Sequence, residues 1–169
     1  AVHLRSSHGF PLVFERGFKL LGGWVGCKQG QEAFLEEKVR ALDPLVRDLE
    51  TMARGFDVNQ TRVRGAHEAY TIFTKGVTSK LGFSIRLHHP DASLNPCLQF
   101  KELSERFACS LAGGSLSDDW GRLQSCITHL PVNQGGLGLT DLTLFRGAAH
   151  FASLAGGVKL GRSIVREVN

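Results

Sequence analysis

Few residues of this chain have the types and spacing that catalysis requires. Asp118 and Asp119 are adjacent carboxylates, groups that can bind a metal ion or act as general acid and base, but they directly follow Ser117 at a predicted helix start. Acidic residues are favoured there by the positive end of the helix, so helix capping explains them better. No phosphate-binding Gly-x-x-x-x-Gly-Lys loop, His-Glu-x-x-His motif or glycine elbow at Ser115 or Ser117 is present. These residues predict no catalysis by this chain alone.

The cysteine and histidine residues do not have the spacing of a metal site. Two potential pairs occur: Cys126 and His129 would share a helix face, and His88 and His89 are adjacent. Two candidate ligands without a second pair of ligands are more often packing or surface residues than part of a zinc site. The chain has no Cys-x-x-Cys spacing, which argues against both a zinc ribbon and a disulfide framework, and its four cysteines are Cys27, Cys97, Cys109 and Cys126. We expect no metal, no cofactor and free thiols.

Basic residues are the third group with possible chemistry. The chain has 20 Lys plus Arg against 16 Asp plus Glu, and its pI is about 9.1. The acids concentrate between residues 32 and 57, whereas basic residues gather later, at Arg62, Arg64, Lys75, Lys80 and Arg86, and again at Arg146, Lys159, Arg162 and Arg166. This balance is compatible with a nucleic-acid partner. The alternative is an ordinary solvated helix face.

The densest sequence feature is the glycine-rich run at residues 130–139, Leu-Pro-Val-Asn-Gln-Gly-Gly-Leu-Gly-Leu. Three glycines in four residues suit a backbone that adopts positive φ or passes close to another backbone. The Ala- and Ser-rich residues 145–153 that follow suit a closely packed helix. We therefore predict that Gly135, Gly136 and Gly138 form a structural turn against the rest of the protein.

Composition and length are those of one globular domain. The chain has 169 residues, 42% of them apolar and 21% charged, enough to bury one sizeable core. No apolar run approaches the roughly 20 residues that span a bilayer, so no membrane insertion is predicted. The first thirty residues lack the order of a secretion signal. We interpret the chain as a processed or excised piece of an intracellular protein, with the nucleus and an organelle both open as its compartment.

The apolar spacing predicts a mainly helical fold of about five helices with a small N-terminal β-hairpin. Residues 1–30 contain two short apolar runs separated by turn residues and form the hairpin segment, and residues 31–169 form the bundle of one compact domain. Steps of three and four predict helices over Gln31–Arg54, Asn59–Leu81, Asn95–Leu111, Ser117–Leu130 and Asp141–Ala155.

Three of these helices carry a stripe of apolar residues that is predicted to face inward. Two prolines indicate where a helix is kinked or begins. The first stripe is Leu35, Val39, Leu42, Val46, Leu49 and Ala53; the second runs from Val63 to Leu81 through Tyr70, Phe73 and Val77; the third is Phe100, Leu103, Phe107 and Leu111. The fourth helix would turn Trp120, Leu123, Ile127 and Leu130 inward. Pro44 predicts a kink or break in the first helix, and Asn95 with Pro96 predicts the start of the third.

Three blocks, in order, resemble the segment after the polymerase palm in reverse transcriptases of non-long-terminal-repeat (LINE-like) retrotransposons. Residues 18–26 resemble the Leu-Gly-x-x-(Ile/Val)-Gly hairpin that holds the primer end. The stretch from Lys38 through Leu42, Leu45, Leu49 and Gln60 to residues 82–86 resembles the thumb helices. The glycine-rich run and its sequel resemble the Leu-Pro-x-x-x-Gly-Gly-Leu-Gly-Leu and Ala-Ala-x-x-Ala-Ser blocks after the thumb.

This resemblance implies a thumb-like domain without an active site. The family's (Phe/Tyr)-Ala-Asp-Asp sequence would precede the hairpin and is absent from this chain, and polymerisation needs those metal-binding carboxylates. A thumb holds duplex through its phosphates, with Lys and Arg replacing counterions. The implied contacts with RNA or an RNA–DNA duplex are Lys19, Arg62, Arg64, Lys75, Lys80 and Arg86.

Two other functions fit the same sequence. The chain could be a structural subunit of a large protein or ribonucleoprotein assembly that contacts other protein subunits and no nucleic acid. It could also be a fragment of an active polymerase whose palm lies upstream.

The purified 169-residue chain is expected to show no nucleotide-polymerising activity, because the metal-binding carboxylates of the resembled family are absent. Primer extension on an RNA template with a divalent cation measures this, with a preparation purified in parallel from cells lacking the gene as the control for contaminating polymerase. Template-dependent extension by the chain alone would contradict the expectation.

Overall fold

The computed structural model describes residues 2–5, 11–14, 17–58, 61–63, 65–112 and 126–168 of the chain. The predicted mainly helical bundle with N-terminal β structure is confirmed there. The strands are β1 (Val2–Arg5), β2 (Pro11–Phe14), β3 (Gly17–Leu20), β4 (Gly23–Gly26), β5 (Phe56–Val58) and β6 (Thr61–Val63), paired β1–β2, β3–β4 and β5–β6 as antiparallel hairpins. The helices are α1 (Lys28–Arg54), α2 (Ala66–Ile72), α3 (Thr78–Leu87), α4 (Pro90–Ala112) and α5 (Leu142–Val168).

The core forms where the apolar face of α1 packs on α4 and on the helix from α2 to α3. All six residues of the predicted first stripe are buried. Between α2 and α3, residues Phe73–Val77 form a π-helical turn, and Phe73 stacks on Phe107 of α4 with ring centroids 4.3 Å apart. Phe100 lies 6.0 Å from the same ring. These rings join α4 to the helix that runs from α2 to α3.

Charged groups at the edge of this core hold α4 against α1. The guanidinium of Arg106 donates to Glu50 Oε1 at 2.5 Å and to Asp43 Oδ1 at 2.7 Å. This bond from Arg106 lowers the pKa of Asp43 below its ordinary value. Glu50 is buried, so its carboxylate depends on the guanidinium as a partner.

Pro44 does not split the first helix, which runs as one element from Lys28 to Arg54. Pro44 lies on the exposed side, where the carbonyl that loses its helical partner can bind water. Leu42 and Val46, on either side of it, are both buried, and this packing holds the helix across the proline.

The predicted helix over Asn59–Leu81 starts too early. The strands β5 (Phe56–Val58) and β6 (Thr61–Val63) pair there, and the helix begins only at Ala66. Val63 therefore belongs to a strand and not to the second stripe. The β-branched residues of this short segment favour extended backbone, an effect that the helical spacing had concealed. From Phe73 to Leu81 the predicted inward positions are buried.

The predicted start of the third helix at Asn95 is also wrong. The helix α4 begins at Pro90, and Pro96 is buried within it. A proline at the first helical position suits Pro90 as well as it suits Pro96, so the local pattern could not decide between them. The Asn95 amide does not cap the helix but donates to Glu32 Oε1 at 2.6 Å, which joins α4 to α1.

The fourth predicted helix lies largely outside the described residues, including Trp120 and Leu123. Its last turn, residues 126–129, is helical, but Ile127 and Leu130 are exposed and not inward as predicted. The fifth helix extends well past Ala155, to Val168.

The glycine-rich run folds back on residues 126–130 as a compact turn. Gly135 and Gly138 have positive φ angles of 85° and 64°. The amide of Gly138 donates to Leu130 O at 2.8 Å, and Tyr70 Oη donates to Leu137 O at 2.6 Å, which ties the turn to α2. Gly136 has no positive φ, and it is required for a different reason: a Cβ there would overlap the backbone carbonyl of Leu130.

Alanine substitutions should separate these two requirements. Gly136→Ala is expected to destabilise the fold by about 1–3 kcal/mol, the typical cost of overpacking against a backbone that cannot move. Gly135→Ala has free space for the Cβ and should cost about 1–2 kcal/mol from the left-handed conformation alone.

Urea unfolding of the two variants measures the difference. Gly82→Ala is the control, because Gly82 lies within α3, where a Cβ meets nothing within 4 Å. This variant should gain about 0.5–1 kcal/mol. Equal stability of Gly136→Ala and the parent would contradict the steric assignment.

Candidate nucleic-acid interface

The β3–β4 hairpin is closed by a two-residue turn with backbone angles that few residues adopt. Leu21 has φ 47° and Gly22 has φ 83°, and positive φ at both central positions defines a type I′ turn. This turn type matches the twist of the paired strands, so the hairpin stays regular up to its tip. Leu21 is almost fully exposed there, and Gly23 packs against Leu87 at the end of α3.

Close backbone contact fixes the hairpin on the start of α1. The indole of Trp24 lies against Gly30, where an added Cβ would overlap the ring, and against Gly17 on the facing strand. The Trp24 ring also lies 6.2 Å from the ring of Phe34. Glycine at position 30 therefore allows a large aromatic side chain to approach the helix axis closely.

His88 joins the hairpin to α3 through both ring nitrogens. Its Nε2 accepts the backbone N–H of Trp24 at 2.9 Å, and its Nδ1–H donates to Ser84 O at 2.6 Å. The two partners require the neutral ring with its proton on Nδ1. The side chain is fully buried, and burial lowers its pKa, with the nearby Lys38 ammonium adding to the effect.

Lys38 of α1 completes this attachment. Its ammonium donates to Gly22 O at 3.0 Å and to Ser84 Oγ at 2.8 Å, and it lies 4.9 Å from the centre of the Phe34 ring. Burial lowers the pKa of Lys38, and repulsion from Lys19 lowers it further. The ammonium of Lys19, on β3, lies 5.8 Å from the centre of the same Phe34 ring. Two ammonium groups are thus held around one aromatic ring.

A groove opens between α1 and α3 beside this attachment. It has a volume of about 460 Å³, and we call it the lysine groove; its walls are Lys38, Ala41, Leu42, Lys80, Leu81 and Phe83. The charged wall residues within the described part of the chain are both lysines. The Phe83 ring is more than half exposed, which is unusual for a phenylalanine in a small domain. Ammonium groups beside an accessible aromatic ring can contact phosphate and the face of a base or sugar.

The structure brings together some of the predicted binding residues. Lys80 lines the lysine groove, and Lys19 lies beside Lys38 at its hairpin end. Lys75, in the π-helical turn, and Arg86, near the end of α3, are exposed. The remaining two predicted binding residues are arginines. Arg62 lies in strand β6, but its side chain is not among those described, and Arg64 lies outside the described residues.

Sequence reasoning missed the roles of Lys38, His88 and Phe83. Lys38 lies next to the buried Val39 on α1 and had no signal of its own beyond the resembling block. The sequence suggests His88 only as a potential metal ligand, whereas in the structure its Nε2 accepts the backbone N–H of Trp24. The exposed Phe83 has no local signature, since only the packing of α3 reveals which side of that helix is open.

Other classes of site receive no support from the described residues. No three His, Cys, Asp or Glu side chains there converge as metal ligands. Within the same ranges, none of the helices combines the length and apolar character needed to cross a membrane.

Comparisons with protein-family models, with curated proteins and with solved structures find no match. The resemblance to retrotransposon reverse transcriptases therefore rests on the three sequence blocks alone and stays a prediction.

Acidification should loosen the hairpin through His88. Because its pKa is lowered in the folded state, this residue stabilises the fold fully above its unfolded pKa near 6.5. That contribution is lost as the pH falls from 6.5 through the folded pKa, where protonation of Nε2 removes the acceptor of the Trp24 N–H.

Urea unfolding from pH 8 to pH 5 measures the effect. The parent should lose stability below pH 6.5, and His88→Gln should be less stable at pH 8 but show a flatter dependence. The matched control is His67→Gln, because His67 is exposed on α2; it should keep the parental dependence. An unchanged slope in His88→Gln would refute the assignment.

Proposed function

We propose that this chain is a non-catalytic domain that contacts the phosphate backbone of RNA or an RNA–DNA duplex. The observation that carries the proposal is the lysine groove, whose charged wall residues are Lys38 and Lys80, with Lys19 at its hairpin end. The sequence resemblance points to the same class of ligand independently, because the hairpin and helices that form the groove fall within the resembling blocks.

The repulsion between Lys19 and Lys38 supports an anionic ligand. Both ammonium groups lie near the Phe34 ring, and the pKa of Lys38 is lowered by burial and by the charge of Lys19. A phosphate between or beside them would relieve this repulsion and release bound counterions. Such binding depends on charge and duplex shape, so we expect it to tolerate changes of sequence.

The rigid attachment of the hairpin suits this role. Lys38 and His88 hold the hairpin tip against α3, so Lys19 and Lys80 have a fixed spacing. A fixed spacing of cations along a groove favours a regular duplex backbone over a flexible polyanion.

Salt-dependent binding tests the proposal. Fluorescence anisotropy with a labelled RNA–DNA hybrid and with duplex RNA, over a series of salt concentrations, should give a steep linear fall of log affinity with log salt. The double substitution Lys19→Gln with Lys80→Gln should weaken binding and reduce the slope by about one to two units, since each phosphate contact contributes about 0.9. Lys38 is left intact because it also holds the hairpin.

Lys159→Gln is the matched control, because Lys159 is an exposed lysine on α5 that does not line the lysine groove. It should leave the slope unchanged, since loss of even one phosphate contact would change the slope by about 0.9. A second comparison replaces Arg62, Arg64 and Lys75 together, the contacts implied by the resemblance alone, and should flatten the slope by about two to three units. No binding at low salt, or binding that the groove substitutions leave unchanged, would contradict the proposal.

The second candidate function is a structural subunit that binds protein. The observation in its favour is the apolar surface of α5, where every residue from 151 to 160 is exposed. Exposed apolar surface of this extent marks protein contact more often than nucleic-acid contact. Absence of RNA and hybrid binding in the experiment above would leave this function as the better account.

A further inference from the structure

The helix α5 carries an apolar stripe that the described part of the chain leaves uncovered. Leu144, Phe151, Leu154 and Val158 are 76%, 67%, 52% and 54% exposed. Their spacing of seven, three and four residues places them at positions a and d of a heptad repeat, the pattern of a two-stranded coiled coil. We call this stripe the α5 seam.

The seam continues in the sequence to the end of the helix. Counting in sevens from Leu144, the a positions are Leu144, Phe151, Val158 and Val165, and the d positions are Gly147, Leu154, Gly161 and Val168. Seven residues per repeat is the period that keeps one face of a helix directed toward a partner helix. A helix packed only on its own domain needs no such strict repeat.

The glycines in α5 point to a partner that comes close. Glycine lowers helix stability, and a Cβ at Gly147 would meet nothing within 4 Å in this chain. Packing within the described chain therefore gives no reason for a glycine there. Close approach of a second helix backbone is a physical reason for small residues at d positions.

The seam is complementary to itself when two copies run antiparallel. In an antiparallel pair, each a position faces a d position of the other helix. In the register that pairs Leu154 with Val158 of the second copy, the two pairs at the centre of the seam are aliphatic.

The flanking positions carry no like-charge conflict in that register. Near the two-fold axis the flanks are Ala155 facing Ala155 and Gly157 facing Gly157. Arg162 is opposite Ala148, and Lys159 lies off the seam. A parallel pair would instead stack d positions on each other and place Gly147 opposite its own copy, which leaves a space without packing atoms.

The size of the seam is sufficient for a specific dimer. Four apolar side chains that are more than half exposed would, over two copies and with their neighbours, cover on the order of 1,000 Å², the extent that separates specific interfaces from chance contacts. We propose that α5 pairs with α5 of a second copy of this chain as an antiparallel two-stranded coiled coil.

Sedimentation velocity of the 169-residue chain over a wide concentration range tests the pairing. A concentration-dependent change from monomer to dimer is expected. Leu154→Glu should raise the dimer dissociation constant roughly tenfold or more, because a charge would be buried twice at the centre of the seam. Circular dichroism should show an unchanged helical fold, since Leu154 is 52% exposed in the monomer and is not part of the core.

Leu160→Glu is the matched control, because Leu160 is 63% exposed on the same helix but lies off the seam. It should leave the dissociation constant unchanged within about threefold, which is below 1 kcal/mol. A monomer at all concentrations, as when residues 113–125 or another protein cover the seam, would overturn the proposal. Equal effects of the two substitutions would also overturn it.

Cross-linking tests the antiparallel orientation. In a background with the exposed Cys27 and Cys126 replaced by serine, Leu154→Cys and Val158→Cys chains should form a mixed disulfide dimer after exchange and oxidation. Neither should cross-link efficiently to itself. Efficient self-cross-linking of each variant would indicate a parallel pair and contradict the proposed arrangement.

Discussion

The burial of one apolar face of α1 is the constraint on which the rest of this structure depends. That face, from Leu35 to Ala53, is fully covered by α4 and by the helix that runs from α2 through the π-helical turn to α3. The π-helical turn places Phe73 flat against Phe107. Because α1 packs on both helices that this stack joins, the position of α3 beside α1, and with it the lysine groove, is set by the core and not by the groove residues.

Polar groups then attach the hairpin to this core. Lys38 projects from α1 next to a buried residue, and His88 ends α3, so both side chains reach the hairpin from helices that the core already holds. Each bonds a backbone group of the hairpin and not a side chain, which fixes the strand position whatever the side chains at the tip. The same attachment leaves Lys19 and Lys80 at the surface, where charge is available to a ligand.

The helix α5 is held by the domain at its start and is exposed further along. The start of α5 is anchored because Asp141 accepts from Lys101 and caps the helix through Thr143, and Leu142 is buried. From residue 151 to 160 every residue of the helix is exposed. An isolated helix of this length is marginal in water, so packing on a second α5 would supply the stability that the domain itself does not. The groove and the seam can therefore function independently.

Sequence spacing by itself determined the helical character and most of the core. The stripe on α1 and the inward phenylalanines of α4 follow a period that only burial on one face explains, and a glycine-rich turn was evident from composition alone. Two predicted helix starts were wrong: the pattern favoured Asn59 where the helix begins at Ala66, and Pro96 where it begins at Pro90. In both places the competing local patterns differ in propensity by less than the packing energy that decides between them. Only the tertiary structure decided that Lys38 and His88 hold a hairpin, that Phe83 borders a groove and that the α5 seam stays uncovered. Contacts between residues distant in the chain depend on how the helices cross, and no local pattern encodes that.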